Sequence, residues 1–366
     1  MKEIAIKQRF YPTKDQAELF AKTFGCVRVV WNNILKARTD SYYQDGKSIS
    51  YNKASAMLTS LKKIPEYDWL GEVASVALQQ SIRNQQSAFK NFFDKRGKYP
   101  KFKSKKNKQS FSLVGTALKY ENGKLFIAKS KEPLNIRWSR ELPSNPSSIT
   151  ISKDTAGRYF VSMLCKFKPK PMPVTAKTIG IDLGLTDLFI TSDGEKQSNP
   201  RHTKRYESKL AFLQRKLFKK KKGSANRAKA KHKVAKLHAK IADCRLDNLH
   251  KLSRKLINDN QVVCVETLAV KNMIKNPKLA KHIADASWGE FVRQLSYKAE
   301  WADRTISKID RFFPSSKRCS TEKCGFINQS LKLSVRSWEC PQCHTTHDRD
   351  INAAINILTV GMAGLA

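Results

Sequence analysis

The sequence predicts a multidomain protein, α+β in its first half and α/β in its second, and three observations carry that prediction. Helical periodicity fills the first hundred residues, and short alternating segments follow over residues 110–167. The run Lys168-Pro-Lys-Pro-Met-Pro-Val174 then marks a boundary, because three prolines favour an extended connection. Beyond it, two strand-like segments each end in an acid, with a long helical pattern between them. A chain of 366 residues, 40% of them apolar, can fill two or three ordinary cores.

Residues 4–10 alternate charged and apolar side chains and read as a strand, closed by Tyr11-Pro12-Thr13, which supplies a turn and a helix N-cap. This N-terminus lacks the apolar core of a signal peptide. No apolar run reaches the ~18 residues that span a bilayer, so a soluble, cytoplasmic protein, associated with the nucleoid, is expected. Leu19, Phe20, Phe24, Val27, Val30, Trp31 and Ile34 recur at three- and four-residue spacing and predict a helix over 16–37, with further helices over 53–62 and 73–93. Residues 98–108 carry six lysines and no acid, with Tyr99 and Phe102 interleaved. Such a segment fits a solvated linker, and equally a strap on which bases stack and phosphates pair, with Lys101, Lys103 and Lys105 as contacts. Over 110–167, Gly115, Gly123, Pro133, Pro143, Pro146 and Gly157 break the chain into pieces that suit a small antiparallel barrel or sheet, to which residues 4–10 can add a strand.

In the second half, Thr178-Ile-Gly-Ile-Asp182 reads as a strand ending in an acid, and a second strand over 187–191 closes at Ser192-Asp193-Gly194. Residues 201–255 form a basic helical arm, 20 Lys/Arg against three acids, interrupted near Lys222-Gly223-Ser224. Its Leu210, Leu213, Leu217, Val234, Leu237 and Ile241 repeat helically, so one face packs and the other is charged. Gln261-Val-Val-Cys-Val-Glu266 is a buried strand that again ends in an acid, and a helix over 351–360 follows His347-Asp-Arg-Asp350.

Lys and Arg number 70 against 31 acids, a formal charge of +39, which makes a polyanion the expected partner through phosphate neutralisation and counterion release. Of the eight cysteines, Cys26, Cys165, Cys244 and Cys264 stand singly in apolar or helical contexts, as buried reduced thiols do. Cys340-Pro-Gln-Cys343 is a tight knuckle and Cys319-Ser-Thr-Glu-Lys-Cys324 a wider one, a spacing that predicts one structural Zn²⁺ with a closed shell of four thiolates. His344 is an alternative ligand, and His347 reads as a hydrogen-bonding residue beside the finger.

Asp182, Glu266 and an acid at the start of the last helix lie roughly 80 residues apart, each at the end of an element where a parallel-type sheet gathers its carboxyl ends. One such acid means little, since it can be a turn residue or a cap. Three converging carboxylates suit two Mg²⁺ ions about 4 Å apart, which stabilise the attacking and leaving oxygens of a phosphoryl displacement. Asp348 and Asp350 can each be the ligand or the helix cap.

The same residues resemble the TnpB proteins encoded by insertion sequences, relatives and ancestors of type V CRISPR effector nucleases. The likeness covers nearly the whole chain: Arg9-Phe-Tyr-Pro-Thr-Lys, Thr23-Phe-Gly-Cys-Val-Arg, Trp31-Asn32, Ala88-Phe-Lys-Asn-Phe-Phe93, Gly180-Ile-Asp-Leu-Gly-Leu, Val265-Glu266, Trp288-Gly-Glu-Phe, Phe313-Pro-Ser-Ser and the run from His347 to Ile357. It implies an RNA-guided DNA endonuclease that uses a transposon-derived ωRNA to find double-stranded DNA beside a short transposon-adjacent motif. It assigns Asp182, Glu266 and Asp350 as a RuvC-like catalytic, Mg²⁺-binding triad. The implied domains are a wedge-like β-barrel over 1–12 and 110–172 and a helical recognition lobe over 13–109. A RuvC-like RNase H fold follows over 173–313 and 346–366, with a zinc ribbon inserted at 314–345.

By the same resemblance Tyr51, Ser55, Ser75 and Gln79 are candidate readers of the motif, one protein acts per RNA, and base pairing supplies the long specificity. The first cysteine pair is wider than the family's usual spacing. The alternatives are a nuclease-inactive RNA-guided repressor, a transposase accessory protein, and a basic RNA-binding scaffold; the scaffold leaves the strand-end acids unexplained.

Overall fold

A computed structural model describes every residue except Asn107, Leu333 and Ala366. The chain folds as two compact units, Met1–Lys168 and Pro169–Ala366. No helix among the described residues is long and apolar enough to cross a membrane.

The first unit begins with β1 (Lys2–Phe10), followed by α1 (Lys14–Asp45), α2 (Tyr51–Leu61), a 3₁₀ turn at Pro65–Glu72 and α3 (Ser75–Phe93). Helix α1 starts earlier than the apolar spacing indicates, because Thr13 and Gln16 form a reciprocal capping box. It also runs further, past its last buried residue Arg38, and stops where Gly46 turns left-handed at φ 63°. The strands β2 (Gln109–Val114), β3 (Leu118–Glu121), β4 (Lys124–Ile127), β5 (Ile136–Arg137), β6 (Ser148–Lys153) and β7 (Tyr159–Phe167) complete the unit. Strand β1 pairs antiparallel with β7 along its full length, from Lys2 opposite Phe167 to Phe10 opposite Tyr159. The result is a five-stranded antiparallel sheet of order β2-β6-β7-β1-β5, beside a separate β3-β4 hairpin. Phe10, Phe20, Phe24, Phe111 and Tyr159 pack ring against ring between α1 and this sheet, so the N-terminal strand and the later ones share one core.

The second unit contains β8 (Thr178–Leu183), β9 (Asp187–Thr191), β10 (Lys196–Ser198), α4 (His202–Arg205), α5 (Glu207–Phe218), α6 (Ala225–Asp259) and β11 (Val262–Glu266). It continues through α7 (Val270–Met273), α8 (Ala280–Ala286), α9 (Trp288–Ala302), β12 (Thr305–Ile309), β13 (Ser337–Glu339), β14 (Thr346–Asp348) and α10 (Arg349–Ala363). The main sheet has the order β10-β9-β8-β11-β12. Strands β8, β11 and β12 run parallel, while β9 and β10 add antiparallel. Val262, Val263, Cys264 and Val265 are all buried, as a central parallel strand covered on both faces requires. The basic arm breaks at Gly223, φ 86°, and Ser224 caps α6 while Arg227 donates to the Leu217 and Lys220 carbonyls, closing α5 and α6 into a hairpin.

Candidate active site and cysteine cluster

Strand register sets the geometry of the acids. Strands β8 and β11 pair in parallel with Val265 opposite Ile181, so Asp182 and Glu266 are the next residues on adjacent strands at the same end of the sheet. Helix α10 brings in the third acid by lying almost on the backbone of β8. A Cβ at Gly180 would sit 2.2 Å from the Ala354 carbonyl oxygen, and one at Gly361 would sit 2.5 Å from Cys264 Sγ. Only glycine allows either approach. Asp350 follows from that packing, in the first turn of α10.

The helix cap is Asp348. Its carboxylate accepts from the Asp350 and Ile351 backbone N–H groups at 3.0 and 3.1 Å and pairs with Lys196 Nζ at 2.6 Å. Asp350 is thereby released from capping, and its carboxylate accepts from Arg336 at 3.2 and 3.3 Å.

Asp182 senses both other acids. The Asp182 carboxyl is held well above the usual carboxylate range, first by burial and then by the negative charges of Glu266 and Asp350, with Arg349 opposing. Burial also raises Glu266, partly offset by the Leu183 backbone and by a hydrogen bond from Asp182. The donors are hard oxygens on three elements, and their mutual repulsion is what a divalent cation relieves; the residues therefore fit Mg²⁺. Among the described residues, no three carboxylates bring their oxygens within 4.8 Å of one another.

The cysteines do close to that distance, with all four sulfurs within 4.8 Å. Cys319 and Cys343 sulfurs lie 3.5 Å apart and those of Cys324 and Cys340 3.7 Å. A tetrahedral ion with Zn–S bonds near 2.3 Å needs sulfurs roughly 3.8 Å apart, so the set fits zinc. The wide first knuckle is accommodated where Lys323 and Gly325 turn left-handed, at φ 60° and 64°. Hydrogen bonds to the Thr345 side chain and backbone hold the Cys343 thiol down to about 5, toward the thiolate a metal takes. His344 points elsewhere, its Nδ1 3.2 Å from the Glu339 carboxylate. His347 lies outside the four-sulfur set but touches it, with Nε2 3.0 Å from Cys319 Sγ.

Several positioning residues escaped sequence reasoning. Arg336 and Lys196 are scattered basic residues in a basic chain, with no spacing to single them out. Asn352 and Asn356 did carry a signal, since two asparagines four apart in an apolar helix need buried partners. Both donate to the Arg318 carbonyl, at 2.7 and 2.6 Å, and so tie α10 to the entry of the cysteine segment.

In the first unit, Tyr51 and Ser55 lie on α2, and Ser75 and Gln79 on the first turns of α3. Arg83 Nε donates to the Tyr51 hydroxyl at 3.2 Å and Lys62 Nζ to Ser75 Oγ at 2.8 Å, so cations already stand beside two of the four. The lysine strap is docked, not free. Trp31 and Asn32 hydrogen bond the Lys101 and Lys103 carbonyls, and the Lys103 ammonium sits 3.8 Å from the Trp31 ring centre, while Lys101 and Lys105 are exposed.

Three family models match the chain: a probable transposase over residues 161–277, a Cas12f1-like TNB domain over 288–357 and a helix-turn-helix domain over 1–47. The last stretch is a strand and one long helix here. The chain is 50% identical over 365 residues to a protein of Streptomyces pristinaespiralis named "Putative RNA-guided DNA endonuclease", covering 99% of this chain and 90% of that one. It is 31% identical over 379 residues to "Putative RNA-guided DNA endonuclease InsQ" of Escherichia coli K12, covering 99% and 93%. Its fold is similar to that of Cas12f1 in a complex with sgRNA and target DNA, at a TM-score of 0.58 and 16% identity, over 94% of this chain and 83% of that one.

Proposed function

We propose that this chain, which belongs to the TnpB family of RNA-guided DNA endonucleases, cuts double-stranded DNA that a bound ωRNA guide has paired with, beside a short motif. The observation that carries the chemical part is the in-register end of β8 and β11, where Asp182 and Glu266 stand side by side and Asp350 is near enough to disfavour the Asp182 charge. On this reading residues 173–313 and 346–366 are a RuvC-like nuclease domain and 314–345 a zinc ribbon. Residues 13–109 are the recognition lobe, and 1–12 with 110–172 the wedge-like barrel.

Asp182, Glu266 and Asp350 would hold the Mg²⁺ ions, which when bound supply an activated water and stabilise charge on the leaving 3′ oxygen. For that, bound cations would offset the repulsion that opposes charge on Asp182, and Arg336 would release Asp350. Asp348 stays with the helix N-terminus and fixes the angle at which Asp350 projects. Cys319, Cys324, Cys340 and Cys343 would hold Zn²⁺ in a closed shell with no open position, so that site shapes α10 and performs no chemistry. Tyr51, Ser55, Ser75 and Gln79, with Arg83 beside them, would meet the motif, and Lys101, Lys103 and Lys105 the nucleic-acid backbone.

The test is Mg²⁺-dependent cleavage of a plasmid library carrying a guide-matched target beside randomised sequence, with protein purified on RNA from its flanking DNA. Cutting that needs the matching guide and is lost in Asp182→Ala establishes the reading. Guided binding without cutting by either protein would assign a repressor instead.

A further inference from the structure

The C-terminal ends of α1 and α3 enclose a cavity of about 380 Å³ in the first unit that none of the roles above uses. Its lining includes Tyr42, Tyr43, Phe89, Phe92, Phe93, Tyr99 and Arg38. Tyr43 and Phe93 are 80% and 70% exposed, which is costly for large rings unless something covers them. Arg38 is the opposite, only 6% exposed. One of its Nη atoms donates to Gln86 at 2.8 Å and its guanidinium stacks over Phe89, but its Nε has no hydrogen-bond partner. Burial alone shifts its guanidinium, downward, with no carboxylate among the causes, and a buried cation without a counter-charge is expensive. Tyr99 comes into the cavity from the lysine strap, anchored by its hydroxyl to Thr39 at 2.9 Å and edge-on to Phe89 and Phe92.

Flat aromatic walls, a lining guanidinium with an unsatisfied donor and a lysine-rich segment that continues from Tyr99 together describe a ligand that is planar, rich in acceptors and attached to a polyanion. We propose that this cavity binds one unstacked base of single-stranded RNA, its carbonyl edge toward Arg38 and its phosphates along the strap. The inference rests on the guide-RNA reading above. Within that reading RNA is the favoured source, because unpaired loops and bulges of RNA offer splayed bases to aromatic side chains, whereas target DNA is stacked in the heteroduplex.

The protein–RNA complex is assembled with RNA from the flanking DNA in which uridines are replaced by 4-thiouridine, irradiated, and the crosslinked peptides mapped by mass spectrometry. Crosslinks to Tyr43, Phe93 or Tyr99 are expected. Tyr43→Ala and Phe93→Ala, both exposed and so tolerated by the fold, should each weaken RNA binding five- to a hundredfold, as loss of one stacked base does. Their salt slope should stay unchanged because no phosphate contact is lost. Crosslinks confined to other elements, or variants that bind RNA as the wild type does, overturn the proposal. Crosslinks at the cavity only from thio-substituted target DNA overturn its assignment to RNA. Wild-type protein that carries the crosslink yet never cuts a matched target would sink the nuclease reading and leave the cavity standing.

Discussion

Cys319, Cys324, Cys340 and Cys343 gather their sulfurs within 4.8 Å, whereas Asp182, Glu266 and Asp350 stop short of that spacing. Both sets are metal-capable and both converge on α10, one before its N-terminus and one beneath it. The difference lies in what each set costs before an ion arrives. Thiols such as Cys319 and Cys324, held up in this set, stay neutral until a metal displaces their protons, so two backbone knuckles can close the four together. Carboxylates are charged at neutral pH, and packing Glu266 and Asp350 near the buried Asp182 opposes its charge. The fold answers with an Asp182 carboxyl held well above the usual carboxylate range and with Arg336 on Asp350. A closed set suits a structural ion, and a strained, open set suits one that must exchange water and substrate oxygens.

Removing the closed set should have the largest effect. Structural zinc contributes ~10–16 kcal/mol in zinc-finger peptides, so Cys340→Ser should eliminate bound zinc and unfold the segment 319–343. Atomic absorption and hydrogen exchange over α10 check this. Retention of one zinc per chain in the variant would break the contrast, because three thiols would then suffice. At the open set the two readouts should diverge. Asp182→Asn should cut cleavage roughly a thousandfold, several kcal/mol of transition-state stabilisation. The same change should raise thermal stability in chelator by ~1 kcal/mol, since it removes a carboxyl whose ionisation burial and the neighbouring acids oppose. A stability loss there would mean that the acids are not in conflict.

Gly180→Ala probes what holds the two sets to one helix. With a Cβ 2.2 Å from the Ala354 oxygen, α10 must shift, at a cost of ~3 kcal/mol. Cleavage should fall with it while zinc content is kept, measured by urea unfolding and metal analysis on the same sample.

How legible these arrangements were in the sequence follows from what fixes them. The cysteine set was readable because ligand spacing along the chain nearly determines it. Asp182 and Glu266 were readable as strand-end acids, since periodicity locates strand ends, but their adjacency depends on the β8–β11 register, which no local pattern encodes. Which of Asp348 and Asp350 caps the helix was open at the level of spacing, and the cap geometry shows that it is Asp348. Arg336, Lys196 and the ring of residues around Arg38 were invisible because tertiary contacts alone bring them into place. Strand β12 was not expected at all, although it completes the parallel trio beside β11.

Lys298 shows a third way to bury charge, with neutral partners only. Its ammonium donates to the His250 carbonyl at 2.8 Å and to Ser253 Oγ at 2.6 Å, and burial, helped by Arg254, lowers it to about 8. Between about 8 and the ordinary lysine value of 10.5 the unfolded chain binds the extra proton. Stability from this group therefore rises with pH across that window, by ~3 kcal/mol. Lys298→Met should flatten the rise in denaturant midpoints measured from pH 8 to 10.5, and an unchanged slope would show that burial does not oppose this charge.

The smallest expected change sharpens the comparison most. The Arg336–Asp350 pair is largely solvent-exposed on the arginine side, 65% against 26%, so Arg336→Gln should alter stability by less than ~1 kcal/mol. Yet the guanidinium pairs with the Asp350 carboxylate, and any cation that binds there must displace it. Mg²⁺ added to the variant should therefore raise its melting temperature at lower concentration than in the wild type, without guide or target present. The same titration on Asp350→Asn should show no such gain. If Arg336→Gln leaves the Mg²⁺ dependence unmoved, the arginine is a bystander, and the open spacing of the acids must be set by the strands and α10 alone.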